Sequence, residues 1–222
     1  LHGGPNMQVT TEYNPFVQFE LDRGIAVIAP NFRGSRGYGF NFMNMDYGKG
    51  REGAIRDVGA LLDWIEEQPE LDANRVIISG GSYGGYLSLI SASRYSDRIL
   101  GAVDFIGMTD LVPFLEGEKN ADRTGEYGDP SDPEMRAFLN GISPIHNVSS
   151  IDVPLFIFHG EQDTRVLVDQ PRKMVEALEK NNKTYRYIEA SDEGHNPTKP
   201  WNIIYVMSAQ MSFVDELFFD EK

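Results

Sequence analysis

Three segments carry residue types suited to acyl transfer. The first is Gly80-Gly-Ser82-Tyr-Gly84, a Gly-x-Ser-x-Gly pattern behind the apolar, β-branched run 75–79. Leu87 and Ile90, three apart, follow it as the inner face of a helix. A serine on so sharp a strand-to-helix turn is exposed as a nucleophile, and the flanking glycines make room for crossing backbone. The second segment is Glu193-Gly-His195-Asn-Pro197, a polar loop between the last strand and the last helix expected. A histidine there can take the serine proton. A lone loop histidine is commonly only a surface residue, but Gly194 beside it and the chain order favour the base. The third is Asp163, in the loop directly after the apolar run 153–158. An acid there fixes the imidazole tautomer and stabilises the imidazolium. Glu161 and Asp192 are rivals, but Asp192 is too close in sequence to His195 to orient it from behind, and Glu161 sits immediately at the strand end.

The order Ser82, Asp163, His195 is that of an α/β-hydrolase. Leu1-His-Gly-Gly-Pro5 suits an oxyanion loop, in which glycines let a backbone N–H face the developing negative charge. Gly4 is favoured over Gly3, and the second donor is the N–H of Tyr83. His2 and His159 read as structural, and His146 as a turn or surface residue. No metal-ligand spacing occurs and no nucleotide loop follows a strand, so neither metal nor cofactor is expected. The stretch 33–39 has the glycines of a phosphate loop without its lysine, and reads as a loop beside the active site.

The elements that must position these residues alternate. Strands are expected over 25–30, 75–79, 100–106, 153–158 and 184–189. Helices are expected over 51–67, after the serine to about 95, over 167–181 with Met174, Val175 and Leu178 inward, and over 199–219. Such alternation implies a mostly parallel sheet with helices on both faces, its ligands outside the carboxyl ends of the strands. The looser stretch 109–150 reads as an insertion over that edge within one domain, 1–222.

The 222 residues suit one domain with a sizeable core. The formal charge of −14 disfavours nucleic acid and anionic membrane, and weakly favours neutral or cationic substrates; solubility alone is the plainer reading. No apolar run approaches the ~18 residues that span a membrane. The absence of cysteine excludes disulfides and a thiolate nucleophile. With no signal-peptide pattern in view, the compartment expected is cytoplasmic, though the chain opens at Leu1 without an initiator methionine.

His2-Gly-Gly-Pro5, Asn31-Phe-Arg-Gly-Ser-Arg-Gly-Tyr-Gly39, Gly80-Gly-Ser-Tyr-Gly-Gly-Tyr86, Glu126-Tyr-Gly-Asp-Pro130, His159-Gly-Glu-Gln-Asp-Thr-Arg-Val166 and Glu193-Gly-His195 occur in that order. Together they resemble the catalytic domain of the prolyl oligopeptidase family, in its acylaminoacyl-peptidase and dipeptidyl-peptidase branch. The resemblance covers nearly the whole chain. It implies a serine peptidase cleaving short peptides through an acyl-enzyme, with Ser82, Asp163 and His195 as triad and Tyr83 and Gly4 as oxyanion donors. A carboxylesterase acting on small acyl esters is the alternative, as is a catalytically inert fragment of a larger peptidase. The resemblance gives Arg165 a place at the substrate carbonyl and Val166 one in the pocket for the cleaved residue; Arg165 could equally anchor its loop by a salt bridge. Phe105, Phe114 and Tyr127 either add to the pocket wall or belong to the core.

Two departures stand out. The histidine is followed by Asn-Pro where many members have glycine, and Leu1 matches the last residue of the strand that leads into the oxyanion loop. The family's first strands and its β-propeller are therefore expected to be missing. The exposed sheet edge would need an upstream part of a longer chain or a homo-oligomer partner to cover it.

Overall fold

A computed structural model describes residues 1–117 and 120–219. Along the chain lie α1 (Pro15–Asp22), α2 (Phe40–Met43), α3 (Arg51–Glu66), β1 (Ile77–Gly81), α4 (Tyr83–Arg94) and β2 (Gly101–Phe105). They are followed by α5 (Leu111–Glu116), α6 (Thr124–Tyr127), α7 (Pro133–Gly141), β3 (Leu155–Gly160), α8 (Asp169–Lys180), β4 (Tyr185–Ala190) and α9 (Pro200–Phe219). The strands pair in sequence order, β1-β2-β3-β4, and every pairing is parallel. Parallel neighbours need long crossovers, and α4 and α8 supply two of them.

Residues on opposite faces of each strand sort the core into two layers. Ile78, Ala102, Leu155 and Ile157 pack with Val58 and Leu62 of α3, Leu89 of α4, and Met174 and Leu178 of α8. Val103, Phe156 and Phe158 pack with Val206, Phe213 and Val214 of α9. Helices thus cover both faces, as an α/β-hydrolase sheet requires.

The structure corrects three expected elements. Residues 25–30 form no strand. The run is apolar, but a strand exists only through its ladder. This one pairs with nothing among the described residues and leaves Val27 and Ile28 exposed. The strand expected over 153–158 begins instead at Leu155, because Pro154 has no N–H to donate, and it reaches to Gly160. Val175 of α8 is only partly buried, while Met174 and Leu178 are fully covered.

Every strand runs towards the same edge. The turn at Ser82 follows β1, the bend at Ile106 follows β2, the Asp163 loop follows β3, and the His195 loop follows β4. A trough of about 1660 Å³ opens beside Ser82 and continues along the outer side of β1, between 76–80 and 25–30.

Candidate active site

The turn after β1 forces Ser82 to φ 56 and ψ −116, outside the regions that an L-residue prefers. Such backbone strain costs of order 1–3 kcal/mol and is characteristic of active sites. Two glycines make the turn possible. A Cβ on Gly80 would come within 2.3 Å of the Gly84 carbonyl oxygen, and one on Gly84 within 2.1 Å of that of Leu1. The Ser82 N–H donates to the Phe105 carbonyl at 2.7 Å, which ties the turn to β2.

The three loops bring the reactive side chains together. His195 Nε2 is 3.0 Å from Ser82 Oγ, and His195 Nδ1 is 2.7 Å from Asp163 Oδ2. The other carboxylate oxygen, Oδ1, accepts the N–H groups of Arg165 at 2.8 Å and Val166 at 3.0 Å. Burial works to raise the Asp163 carboxyl's pKa, but the donors from His159, His195 and Arg165 outweigh it and hold the group well below the ordinary carboxylate range. It stays ionised beside the imidazole. The rivals lie elsewhere. Glu161 pairs with Arg172 on the surface, and Asp192 pairs with Lys199 and Asn202.

The histidine loop is pinned from below. The buried Glu193 carboxylate accepts the N–H groups of Thr198 and Lys199, both at 2.9 Å, where α9 begins. The Glu193 carbonyl accepts from Gln162 N–H at 2.9 Å, which joins the His195 loop to the Asp163 loop. Their close contact needs Gly160, where a Cβ would stand 2.2 Å from the Gly194 carbonyl oxygen.

Opposite the histidine lies the Gly3–Gly4 backbone. A Cβ on Gly3 would be 3.5 Å from that of Ser82, and Gly4 has φ +117, a conformation suited to glycine. The Gly4 carbonyl accepts from Arg123 at 3.0 Å. His2 is built into this loop, stacked on Phe32 at 4.2 Å with Nε2 on Ser35 Oγ at 2.8 Å. Tyr83 opens α4, and an N–H in the first turn of a helix has no acceptor within it. Gly3 and Gly4 line the trough together with Ser82.

Ile106, Met108, Phe114, Arg165 and Val166 line the trough beside Ser82. Val166 is buried and packs with Met108 and Phe114. Arg165 is exposed and, among the described residues, joins no ion pair; its carbonyl accepts from Asn120. Tyr127 does not reach the opening. It is wholly buried, with the Arg51 guanidinium 3.7 Å from its ring centre and that of Arg123 at 4.8 Å. His146 lies on the surface, 3.7 Å from Asp110.

The sequence carries no cue for a buried support under Tyr83. Arg51 sits 5.0 Å from the Tyr83 ring centre and pairs with Asp46 at 3.4 Å, both side chains fully buried. Nor does it mark Ile106, a β-branched residue at φ 54, where the Gly107 N–H bonds back to Asp104 Oδ1 at 2.8 Å. Among the described residues, no group of three or more His, Asp or Glu side chains could hold a metal ion. No described helix is long and apolar enough to cross a membrane.

A parallel sheet with a strained serine turn, and with a histidine and an acid on the loops of later strands, defines the α/β-hydrolase class. Within that class, residues 11–220 match the model of the prolyl oligopeptidase family, and the chain belongs to that family. It is 31% identical over 211 residues to dipeptidyl aminopeptidase BIII of Pseudoxanthomonas mexicana, covering 91% of this chain and 30% of that one. It is 24% identical to an acylamino-acid-releasing enzyme of Arabidopsis thaliana, covering 90% and 27% respectively. The fold superposes on a puromycin-hydrolyzing peptidase of Mycobacterium tuberculosis with a TM-score of 0.92 and 25% identity, over 99% of this chain and 34% of that one. The chain thus spans under a third of the length of these curated relatives.

Proposed function

We propose that this chain carries the catalytic site of a serine peptidase acting on short peptides. The observation that carries the reading is the line from Ser82 Oγ to His195 to Asp163 Oδ2, at 3.0 and 2.7 Å. Ser82 Oγ attacks the scissile carbonyl while His195 Nε2 takes its proton. The oxyanion of the tetrahedral intermediate accepts the N–H groups of Tyr83 and Gly4. Each such donor is worth about 10²–10³ in rate. Collapse expels the amine, which takes the proton from His195 and leaves Ser82 acylated. Water then repeats the sequence and frees the acid. Asp163, ionised throughout, holds the proton on Nδ1 so that Nε2 can accept.

The apolar wall of Ile106, Met108, Phe114 and Val166 favours an uncharged residue before the cleaved bond, and Arg165 stands where it can donate to a substrate carbonyl. The stretch 109–150 acts as an insertion over this edge within a single hydrolase domain. The trough beside β1 suits an extended strand, which an upstream part of a longer chain, bearing a β-propeller, or a homo-oligomer partner would supply. The same machinery cleaves esters. Turnover of dipeptidyl and N-acetyl-aminoacyl p-nitroanilides is expected alongside that of p-nitrophenyl esters, all lost in Ser82→Ala. Ester turnover without any anilide turnover would make the protein an esterase.

A further inference from the structure

His159, one residue before the end of β3, has a fully buried side chain that no step above uses. Its Nε2 is 2.8 Å from the Val166 carbonyl oxygen. A carbonyl can only accept, so Nε2 carries a proton. The same Nε2 lies 3.3 Å from Asp163 Oδ2, the oxygen that also receives the His195 proton. Oδ1 is already taken by the N–H groups of Arg165 and Val166. Two N–H groups thus hold Oδ1, while Oδ2 has His195 Nδ1 at 2.7 Å and, at 3.3 Å, the His159 Nε2–H that it shares with the Val166 carbonyl.

The strand register shows what surrounds the ring. Asp104 of β2 pairs with Ile157, and Glu189 of β4 pairs with His159 itself, so these carboxylates share a sheet face with the imidazole. Arg172 of α8 neutralises Glu189 at 2.5 Å. Nδ1 of His159 is buried with no hydrogen-bond partner among the described residues. A buried polar atom left unpaired costs about 1–3 kcal/mol. An aliphatic side chain would fill the same space without that cost, so packing alone does not account for a histidine here.

We infer that His159 is a positioning residue for Asp163: its Nε2–H braces the carboxylate with Oδ2 turned towards His195, and ties Val166 of the pocket wall to the same point. The inference rests on the triad proposed above. Because His159 does not itself reach the trough, its loss should lower kcat by more than the release of the Val166 carbonyl raises KM. Misplacement of a catalytic group by about 1 Å costs up to roughly 10²-fold.

Two replacements of near-equal length separate the N–H from the volume. His159→Gln can present a donor near the Nε2 position, and His159→Met cannot. Both are compared with wild type for kcat and KM on a p-nitrophenyl ester, and for the titration of the His195 Cε1–H by NMR. His159→Met is expected to lose about 10- to 10²-fold in kcat, with a smaller change in KM. It should also shift the His195 titration away from that of wild type, since the carboxylate no longer sits squarely on Nδ1. His159→Gln should stay near wild type in both. Identical behaviour of the two variants, or a folded His159→Met whose His195 titrates as in wild type, would overturn the inference. If His159→Met does not fold, His159→Asn, too short to reach Oδ2, takes its place with the same two outcomes. The titration needs no turnover. A failed nucleophile would show instead as turnover that survives Ser82→Ala.

Discussion

Asp163→Asn alters one atom of the site, and the structure dictates where that atom goes. Oδ1 accepts two backbone N–H groups, from Arg165 and Val166. In asparagine that place must remain oxygen, because an NH₂ there would oppose two donors. The NH₂ is therefore forced into the position of Oδ2, 2.7 Å from His195 Nδ1. Nδ1 must then accept, its proton moves to Nε2, and the nitrogen facing Ser82 Oγ can no longer take a proton. A wrong-tautomer triad loses about 10⁴ in kcat, equivalent to about 5 kcal/mol of barrier. The assay is kcat/KM on a p-nitrophenyl ester at pH 8, with circular dichroism to confirm the fold. Activity within tenfold of wild type would refute the reasoning, since His195 would then not need Asp163 to set its tautomer.

Two further outcomes concern stability. Burial pushes the Asp104 carboxyl up to about 7, against the opposing pull of His159 and the Gly107 N–H. A carboxyl with a raised folded pKa is neutral in both states below about pH 4, and stability is lost as pH rises from there through 7. The loss approaches about 4 kcal/mol above neutrality. Asn at 104 keeps the bond to Gly107, so Asp104→Asn should gain stability in urea at pH 8 and less than half as much at pH 5; equal gains would contradict this. Arg51→Met strands the buried Asp46 carboxylate and should cost about 3–5 kcal/mol, while the Arg51→Met/Asp46→Leu double variant returns close to wild type. If single and double variants unfold at the same denaturant concentration, the pair is not the support described here.

The central strand-turn-helix was legible because local signals agreed: a β-branched run, glycines on both sides of Ser82, and helical spacing at Leu87 and Ile90. The Asp163 and His195 loops were legible from their place after apolar runs and from chain order. Residues 25–30 misled because apolarity is a property of the segment, whereas pairing depends on what lies beside it. Tyr127 was legible as one of two options, pocket wall or core, and its ring lies under two arginines. Arg51 gave no signal, since an arginine in a helix pattern reads as solvent-facing until its neighbours are known. The contact between His159 and Asp163 depends on how the intervening loop folds back, and no spacing rule encodes that.

The most direct test of the central claim is covalent. The chain is incubated with a fluorophosphonate, whose phosphorus is attacked by an activated serine with loss of fluoride, and the adduct is mapped by peptide mass spectrometry. One adduct per chain, on Ser82 and absent from Ser82→Ala and His195→Ala, is the result expected. Labelling that persists in Ser82→Ala, or a folded wild type that takes no label, would contradict an activated Ser82.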